Sequence, residues 1–197
     1  MVEAARMLVL ASASPRRADL LRMAGLRFTV APVDGDERWL PGEAPADYAA
    51  RVARIKASLA VPGHPGKVIL AADTTVWIDP GSPPIGKPAD RSEARTTLAR
   101  LAGGSHFVTT AFAIADTREA TVTWLERQVT TRVHMRSLQD DELAAYLDTD
   151  DWQDKAGGYG IQSRAAGIVT TIEGSYTAVV GLPLAEVVLA LRALGLG

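Results

Sequence analysis

Hydroxyl groups, the start of a helix and two arginines come together in the segment Ser12-Ala13-Ser14-Pro15-Arg16-Arg17. If Ser14 caps the helix and Pro15 opens it, Arg16 and Arg17 lie at the positive end of the helix dipole, which disfavours their charge. A bound phosphate or carboxylate would offset this, because hydroxyls, helix N–H groups and guanidinium groups all bind anions. The other interpretation is a capped surface helix whose arginines pair with nearby acids.

A polar triplet, Asp73-Thr74-Thr75, interrupts an apolar strand predicted from Lys67 to Ile78. A buried carboxylate is unfavourable unless it is paired, binds a metal or lies at the mouth of a cleft. Each of these exceptions would allow Asp73 to act as a base or as a ligand. The competing interpretation is a solvated aspartate in a turn at the end of the strand.

Adjacent acids, Asp36 and Glu37, fall in a predicted loop, where they suit a hard cation, although simple surface charge is commoner. Only four of the 21 basic residues are lysine, which favours specific roles for them. Lys56 lies in a predicted helix, whereas Lys87 and Lys155 lie in irregular segments beside glycine or proline, where ligands can approach the backbone.

Composition excludes several classes of protein. The 197 residues include no cysteine, which excludes thiolate catalysis, iron–sulfur clusters and cysteine zinc sites, and the three histidines lack metal-ligand spacing. A net charge of −2 gives no support for nucleic-acid binding. The apolar run Met7 to Ala13 is too short to span a bilayer, so no membrane association is expected and the cytoplasm is the expected compartment.

Periodicity predicts one mixed α/β unit over residues 1–197, with two lobes around a cleft. Residues 148–167 are polar and glycine-rich with little periodicity, which is typical of a functional loop. The predicted strands are Met7–Ala11, Arg27–Ala31, Lys67–Ile78, Ser105–Ala115, Thr121–His134 and Ile168–Ile172, and the predicted helices are 14–25, 46–60, 91–101, 138–147 and 182–194.

Seven motifs, spread from about Leu8 to Leu194, carry a resemblance to a known family. They are Ser12–Arg17, Lys56-Ala57, Ala72-Asp73-Thr74, Gly86-Lys87-Pro88, Gly103–His106 with Thr109, Asp154–Gln162, and Gly174–Tyr176 with Val180–Leu184. In this order they resemble the Maf (septum-formation) family of nucleoside triphosphate pyrophosphatases. The acidic loop 34–37, Ser163-Arg164 and Ala178 depart from the usual family pattern, which leaves loop geometry and the metal-binding acid open.

The resemblance implies a fold and a reaction. The fold would be a mixed sheet with helices, related to inosine triphosphate pyrophosphatases, with two lobes around a central cleft and commonly a homodimer. The reaction would be hydrolysis of a nucleoside triphosphate to the monophosphate and pyrophosphate with Mg²⁺ or Mn²⁺. Asp73 would activate water, Ser12, Arg17, Lys56, Lys87 and Lys155 would bind the phosphates, and Asp36, Glu37 and Asp73 would hold the metal.

Three positions, Arg16, Thr74 and Gln162, resemble the dTTP/UTP subgroup rather than the 7-methyl-GTP subgroup. The amide of Gln162 could satisfy the O4 acceptor and N3–H donor of uracil or thymine. We therefore expect dTTP, UTP and 5-substituted uridine triphosphates to exceed CTP and 7-methyl-GTP in kcat/KM by at least about tenfold. The alternatives are a 7-methyl-GTP pyrophosphatase and a non-catalytic, nucleotide-binding regulator of septum formation.

Overall fold

A six-stranded mixed sheet is the central element of the computed structural model, which describes residues 7–196. Its strands are β1 (Leu8–Leu10), β2 (Phe28–Val30), β3 (Val68–Trp77), β4 (Ser105–Asp116), β5 (Thr123–Met135) and β6 (Val169–Glu173). They lie in the order β2-β1-β3-β4-β5-β6, with β1 parallel to both neighbours and all other pairs antiparallel. The predicted mixed sheet with helices is confirmed.

Helices cover both faces of this sheet. They are α1 (Pro15–Met23), α2 (Pro45–Ala60), α3 (Arg91–Leu101), α4 (Asp140–Leu147), α5 (Tyr176–Val180) and α6 (Leu184–Ala193). The alanines of α2 pack on one face against small side chains of β1, β3 and β4. The other helices form the larger core on the opposite face, with Leu70, Phe112 and Leu182 among its fully buried residues.

The polar triplet of β3 does not interrupt the strand. All ten residues pair with β4, from Val68 opposite Asp116 to Trp77 opposite Phe107. Successive side chains of a strand point to opposite faces. Asp73 therefore shares the α2 face with Ile69 and Ala71, and Thr74 points to the opposite face. Because Asp73 is 7% exposed within a strand, the interpretation as a solvated turn residue is wrong.

Strands β1 and β2 end at the same edge of the sheet, at Leu10 and Val30. Strand β1 pairs with β3 only as far as Leu10 opposite Leu70, so β3 continues past the end of β1. Ligands of α/β sheets bind beyond the carboxyl ends of parallel strands, where neighbouring connections diverge. The segments that follow β1 and β2 here are Ser12–Arg17 and the acidic loop 34–37. The topology thus brings the predicted site segments to one edge.

The predicted closing helix 182–194 begins later than expected and is preceded by the short, unpredicted helix α5. Gly181, at a φ of 135°, and Pro183 separate α5 from α6.

Residues 148–167 are irregular apart from three short 3₁₀ turns. Within residues 7–196, no helix is both long and apolar enough to cross a bilayer. The single-domain prediction extends over residues 1–6 and 197, which lie outside the described residues.

Candidate functional site

A cleft of about 660 Å³ opens beyond the carboxyl ends of β1 and β2, beside the part of β3 that extends past them. This volume is in the range of sites that bind small molecules. Every predicted site residue except Asp36 lines it, although these residues come from distant parts of the chain. The predicted residues in the lining are Ser12, Arg16, Arg17, Glu37, Lys56, Asp73, Thr74, Lys87, Lys155 and Gln162.

Asp73 is paired with the ammonium group of Lys56, which projects from α2. The distance from Lys56 Nζ to Asp73 Oδ1 is 2.9 Å, and the same Nζ lies 2.8 Å from Glu37 Oε1. Burial raises the pKa of Asp73, while the positive charges of Lys56 and Arg17 oppose the increase. A carboxylate that is ionised yet more basic than in water is well suited to accept a proton.

Arg17 is buried and held by three hydrogen bonds, none of them to an acid. Its Nε donates to the Gly181 carbonyl at 2.8 Å, Nη1 to Ser12 Oγ at 3.0 Å and Nη2 to Thr74 Oγ1 at 3.2 Å. The interpretation of this arginine as a surface residue paired with acids is therefore wrong. Burial lowers the pKa of Arg17 from its ordinary value, which reflects the cost of desolvating its charge.

The hydroxyl of Ser12 is left with a proton to donate. Ser12 Oγ accepts hydrogen bonds from Arg17 Nη1 and, at 3.2 Å, from the backbone N–H of Ser14. These occupy both of its lone pairs, so its O–H remains for a ligand oxygen. Ser14 occupies the predicted N-cap position of α1, but its side chain makes no capping bond. The hydroxyl of Ser12 therefore suits a phosphate oxygen.

Two more cationic groups, Lys87 and Lys155, line the cleft. Lys87 is exposed, and Lys155 is half-buried. Burial lowers the pKa of Lys155, and nearby Arg16 lowers it further. A Cβ at Gly160 would come within 2.9 Å of Lys155 Cε, so this glycine lets the lysine stem lie against the backbone. The loop from Asp154 to Gln162, here called the late loop, thus presents a compact positive charge to the cleft.

Gln162 is exposed at the cleft, and its side-chain amide has no hydrogen-bond partner within residues 7–196. Both its N–H₂ donor and its carbonyl acceptor are therefore available to a ligand. Among the described residues, no contact fixes which end of the Gln162 amide faces the cleft.

The acidic loop contributes only one of its two predicted metal ligands to the cleft. Asp36 forms an exposed ion pair with Arg38 at 2.7 Å and does not line the cleft. Glu37 and Asp73 instead converge on the Lys56 ammonium, and their oxygens suit Mg²⁺ or Mn²⁺. No group of three potential ligand side chains occurs among the described residues, so phosphate oxygens and water would supply the other ligands.

The charges of the lining also suit a divalent cation. Five cationic and four carboxylate side chains line the cleft, so its net charge is only +1. A nucleoside triphosphate carries about four negative charges, and a divalent cation is the usual partner that neutralises part of them. The acids of the lining are Asp34, Glu37, Asp73 and Asp154. The donor set and the charge balance therefore both fit such a metal.

A buried pair that sequence reasoning did not connect holds the late loop. His106 Nε2 and the hydroxyl of Tyr159 lie 2.6 Å apart, joining β4 to the loop between Lys155 and Gln162. His106 is fully buried, and desolvation lowers its pKa to about 4. The pair is separated by 53 residues in the chain, so local spacing gives no sign of it.

This pair predicts acid sensitivity of the fold. Between pH 6.5 and about 4 the unfolded chain protonates His106 while the folded chain does not, so stability is lost as the pH falls through this range. The loss should approach about 3 kcal/mol. Urea unfolding of wild type and His106→Phe at pH 7, 5.5 and 4 measures it: wild type should lose more stability than the variant. Parallel losses in both would contradict the prediction.

Comparisons with known proteins show what the chain is similar to. A family model described as "Maf: Maf-like protein" matches residues 7–194. The dTTP/UTP pyrophosphatase of Pseudoalteromonas translucida (strain TAC 125) is 48% identical over 178 residues, covering 90% of this chain and 91% of that protein. The dTTP/UTP pyrophosphatase of Citrifermentans bemidjiense is 47% identical over 188 residues, covering 95% of each.

A solved structure supports the fold. The HAM1 protein from Coxiella burnetii superimposes with a TM-score of 0.51 at 17% identity, covering 94% of this chain and 98% of that one. Identity this low bears on the fold alone. The family match over nearly the whole chain, together with the two relatives, establishes that the chain belongs to the Maf family.

Proposed function

We propose that this protein hydrolyses dTTP and UTP between the α and β phosphates, giving the monophosphate and pyrophosphate. The observation that carries the proposal is the buried Asp73 carboxylate, held by Lys56 in a cleft that also presents Arg17 and other cations. Relatives at 47–48% identity are named dTTP/UTP pyrophosphatases, which supports this choice of substrate.

Binding of the triphosphate falls to the cations and the Ser12 hydroxyl. Arg17 is held rigidly by its contacts to Ser12, Thr74 and Gly181, so little freedom is lost when its remaining N–H groups bind phosphate. Lys87 adds an exposed positive charge, and Lys155 adds one whose stem packs against Gly160. Charge that builds on the pyrophosphate leaving group is stabilised by the same groups.

Asp73 accepts the proton of the attacking water. Lys56 bonds to Oδ1, and Oδ2 has no hydrogen-bond partner among the described side chains and backbone groups, so it is available to a water molecule. Lys56 thereby fixes the orientation of the carboxylate without occupying the oxygen that takes the proton. The base and the phosphate-binding groups lie in one cleft, as water attack on the bound triphosphate requires.

We propose that Glu37 and Asp73 hold a divalent cation, Mg²⁺ or Mn²⁺, and that Asp36 does not. Such a cation would withdraw charge from the bound phosphate oxygens. Glu37→Gln should raise the Mg²⁺ concentration for half-maximal activity by at least about tenfold. Asp36→Asn, the matched control, should leave that concentration unchanged. An equal effect of both substitutions would contradict the assignment.

The function is tested by incubating the pure protein with nucleoside triphosphates and Mg²⁺ or Mn²⁺ and measuring pyrophosphate release. We expect pyrophosphate and UMP in equal amounts from UTP. Binding without pyrophosphate release, for all common bases and both metals, would favour the non-catalytic regulator of septum formation instead.

Base selectivity is a separate expectation. We expect kcat/KM for dTTP and UTP to exceed that for 7-methyl-GTP by at least about tenfold. Because the amide of Gln162 has no intramolecular partner within residues 7–196, it can flip to pair with cytosine, so Gln162 alone does not account for the tenfold margin that we expect over CTP. Gln162→Glu, which removes the amide donor, should reduce both margins and leave pyrophosphate chemistry intact. If 7-methyl-GTP were the best substrate, or CTP equalled UTP, the subgroup assignment would be wrong.

We further propose that the enzyme is a cytoplasmic homodimer of single-domain subunits that binds no nucleic acid. The net charge of −2 supports the last of these, because nucleic-acid binding usually relies on excess positive charge. Light scattering after size exclusion would report the dimer, and a monomeric mass at micromolar concentration would contradict it.

A further inference from the structure

A chain of hydrogen bonds with a fixed direction runs from the cleft into the sheet. Thr74 on β3 faces Thr110 on β4 across the antiparallel pair, with 2.9 Å between their hydroxyl oxygens. Thr110 Oγ1 also donates to the carbonyl of Ala178 at 2.6 Å. A carbonyl can only accept, so the single hydroxyl proton of Thr110 is committed to Ala178. Thr74 must therefore donate its own proton to Thr110.

The same direction continues to Arg17. Arg17 Nη2 donates to Thr74 Oγ1 at 3.2 Å. Because the proton of Thr74 points toward Thr110, Thr74 offers a lone pair to the guanidinium. Without the Thr110 hydroxyl, the proton of Thr74 would lose its acceptor, and the Thr74 hydroxyl could rotate so that its lone pair no longer faces the guanidinium. The donor-to-acceptor direction of this series of hydrogen bonds thus depends on Thr110, a buried residue behind the cleft.

We propose that Thr110 is a positioning residue, which orients Arg17 toward the triphosphate by fixing the hydroxyl polarity of Thr74. Thr110 is fully buried and does not line the cleft, so it acts only through Thr74 and Arg17. This inference rests on the proposed function, because it assigns Arg17 to the triphosphate.

Thr110 also joins β4 to α5 through the Ala178 carbonyl, so a merely structural role must be separated from positioning. The neighbouring Thr109 provides a matched control. It is equally buried, and its hydroxyl likewise bonds across the sheet, to Thr130 at 2.8 Å and to Trp77 Nε1 at 3.0 Å. Its side chain lies on the opposite face and does not line the cleft.

The test measures binding of the α,β-methylene analogue of UTP by calorimetry, with thermal unfolding as a check on folding. Thr110→Val keeps the shape of the side chain but removes its hydroxyl, and should weaken binding about tenfold, the effect of disturbing one hydrogen bond to a charged group. Thr110→Ser should restore binding to within about threefold of wild type. Thr109→Val should bind like wild type. If Thr110→Val does not fold, Thr110→Ala takes its place.

A double-mutant cycle separates positioning from a structural effect. In an Arg17→Ala background, Thr110→Val should cause no further loss of analogue binding, because the group that it positions is gone. Wild-type binding by a folded Thr110→Val, or a loss that adds fully to that of Arg17→Ala, would overturn the inference. In both cases the loss caused by Arg17→Ala alone would leave the proposed function standing. Failure of the wild type to bind the analogue would overturn both.

Discussion

Asp73→Asn should lower kcat for UTP by about 10² to 10⁴ while KM changes little. The substitution preserves the size of the side chain but removes its ability to take a proton from water. At saturating Mg²⁺, binding is retained because Arg17, Lys87 and Lys155 are unchanged, Glu37 can still bind the metal, and the amide can still accept a hydrogen bond from Lys56. Steady-state kinetics with pyrophosphate detection measures the effect.

The matched control for this variant is Asp36→Asn, which neutralises a nearby acid that is paired with Arg38 outside the cleft. Its kcat should stay within about twofold of wild type, as for an ordinary surface substitution. Near-normal turnover by Asp73→Asn would reject Asp73 as the base.

Asp73 should also set the pH dependence of kcat/KM. Burial raises the pKa of Asp73, so kcat/KM should fall on the acid side with an apparent pKa above the ordinary aspartate value of 3.8. The sign follows from the mechanism, because a protonated Asp73 cannot accept a proton from water. The residual activity of Asp73→Asn should not show this fall in kcat/KM at low pH. An identical fall in the variant would mean that another group titrates.

Arg17→Ala should lower kcat/KM by about 10- to 200-fold, the range for losing hydrogen bonds between charged groups. Its guanidinium is buried and held by Ser12, Thr74 and Gly181, contacts that no other cation of the cleft makes within residues 7–196. The structure also ranks the cations: Lys87 is exposed, so Lys87→Ala should have the smaller effect. Kinetics for both variants with UTP test this order.

Arg22→Ala is the control, since Arg22 lies on the same helix but pairs with Asp19 on the surface. It should match wild type in kcat and KM. Unchanged constants in Arg17→Ala would show that this arginine does not bind the substrate, and a larger effect at Lys87 would contradict the ranking by burial.

Long helices were predictable because their hydrophobic pattern begins and ends at residues that typically start and stop helices. Helix α2 runs from Pro45 to Ala60 against a prediction of 46–60, and α3 matches its predicted range. The closing helix was predicted too long at its beginning, although Gly181 and Pro183 were visible in the sequence. Strand β3, predicted over Lys67–Ile78, runs from Val68 to Trp77. The sequence left open whether Asp73 lies within the strand or in a turn at its end, because its partner, Lys56, comes from another element.

The residues of the site were predictable by type but not by orientation. Lysine scarcity and the motifs identified the lysines that line the cleft, and the same reasoning could not choose between Asp36 and Glu37. The structure distinguishes them by their ion pairs. Asp36 pairs with Arg38 outside the cleft, whereas Glu37 pairs with Lys56 inside it. Contacts such as His106 with Tyr159 join distant segments, so no local pattern reports them.

The most direct test of the central claim is the position of water attack. UTP is hydrolysed in water enriched in oxygen-18, and the products are analysed by mass spectrometry. Attack on the α phosphorus, with pyrophosphate as the leaving group, predicts one heavy oxygen in UMP and none in pyrophosphate. Label in pyrophosphate, or products consisting of UDP and inorganic phosphate, would contradict the account.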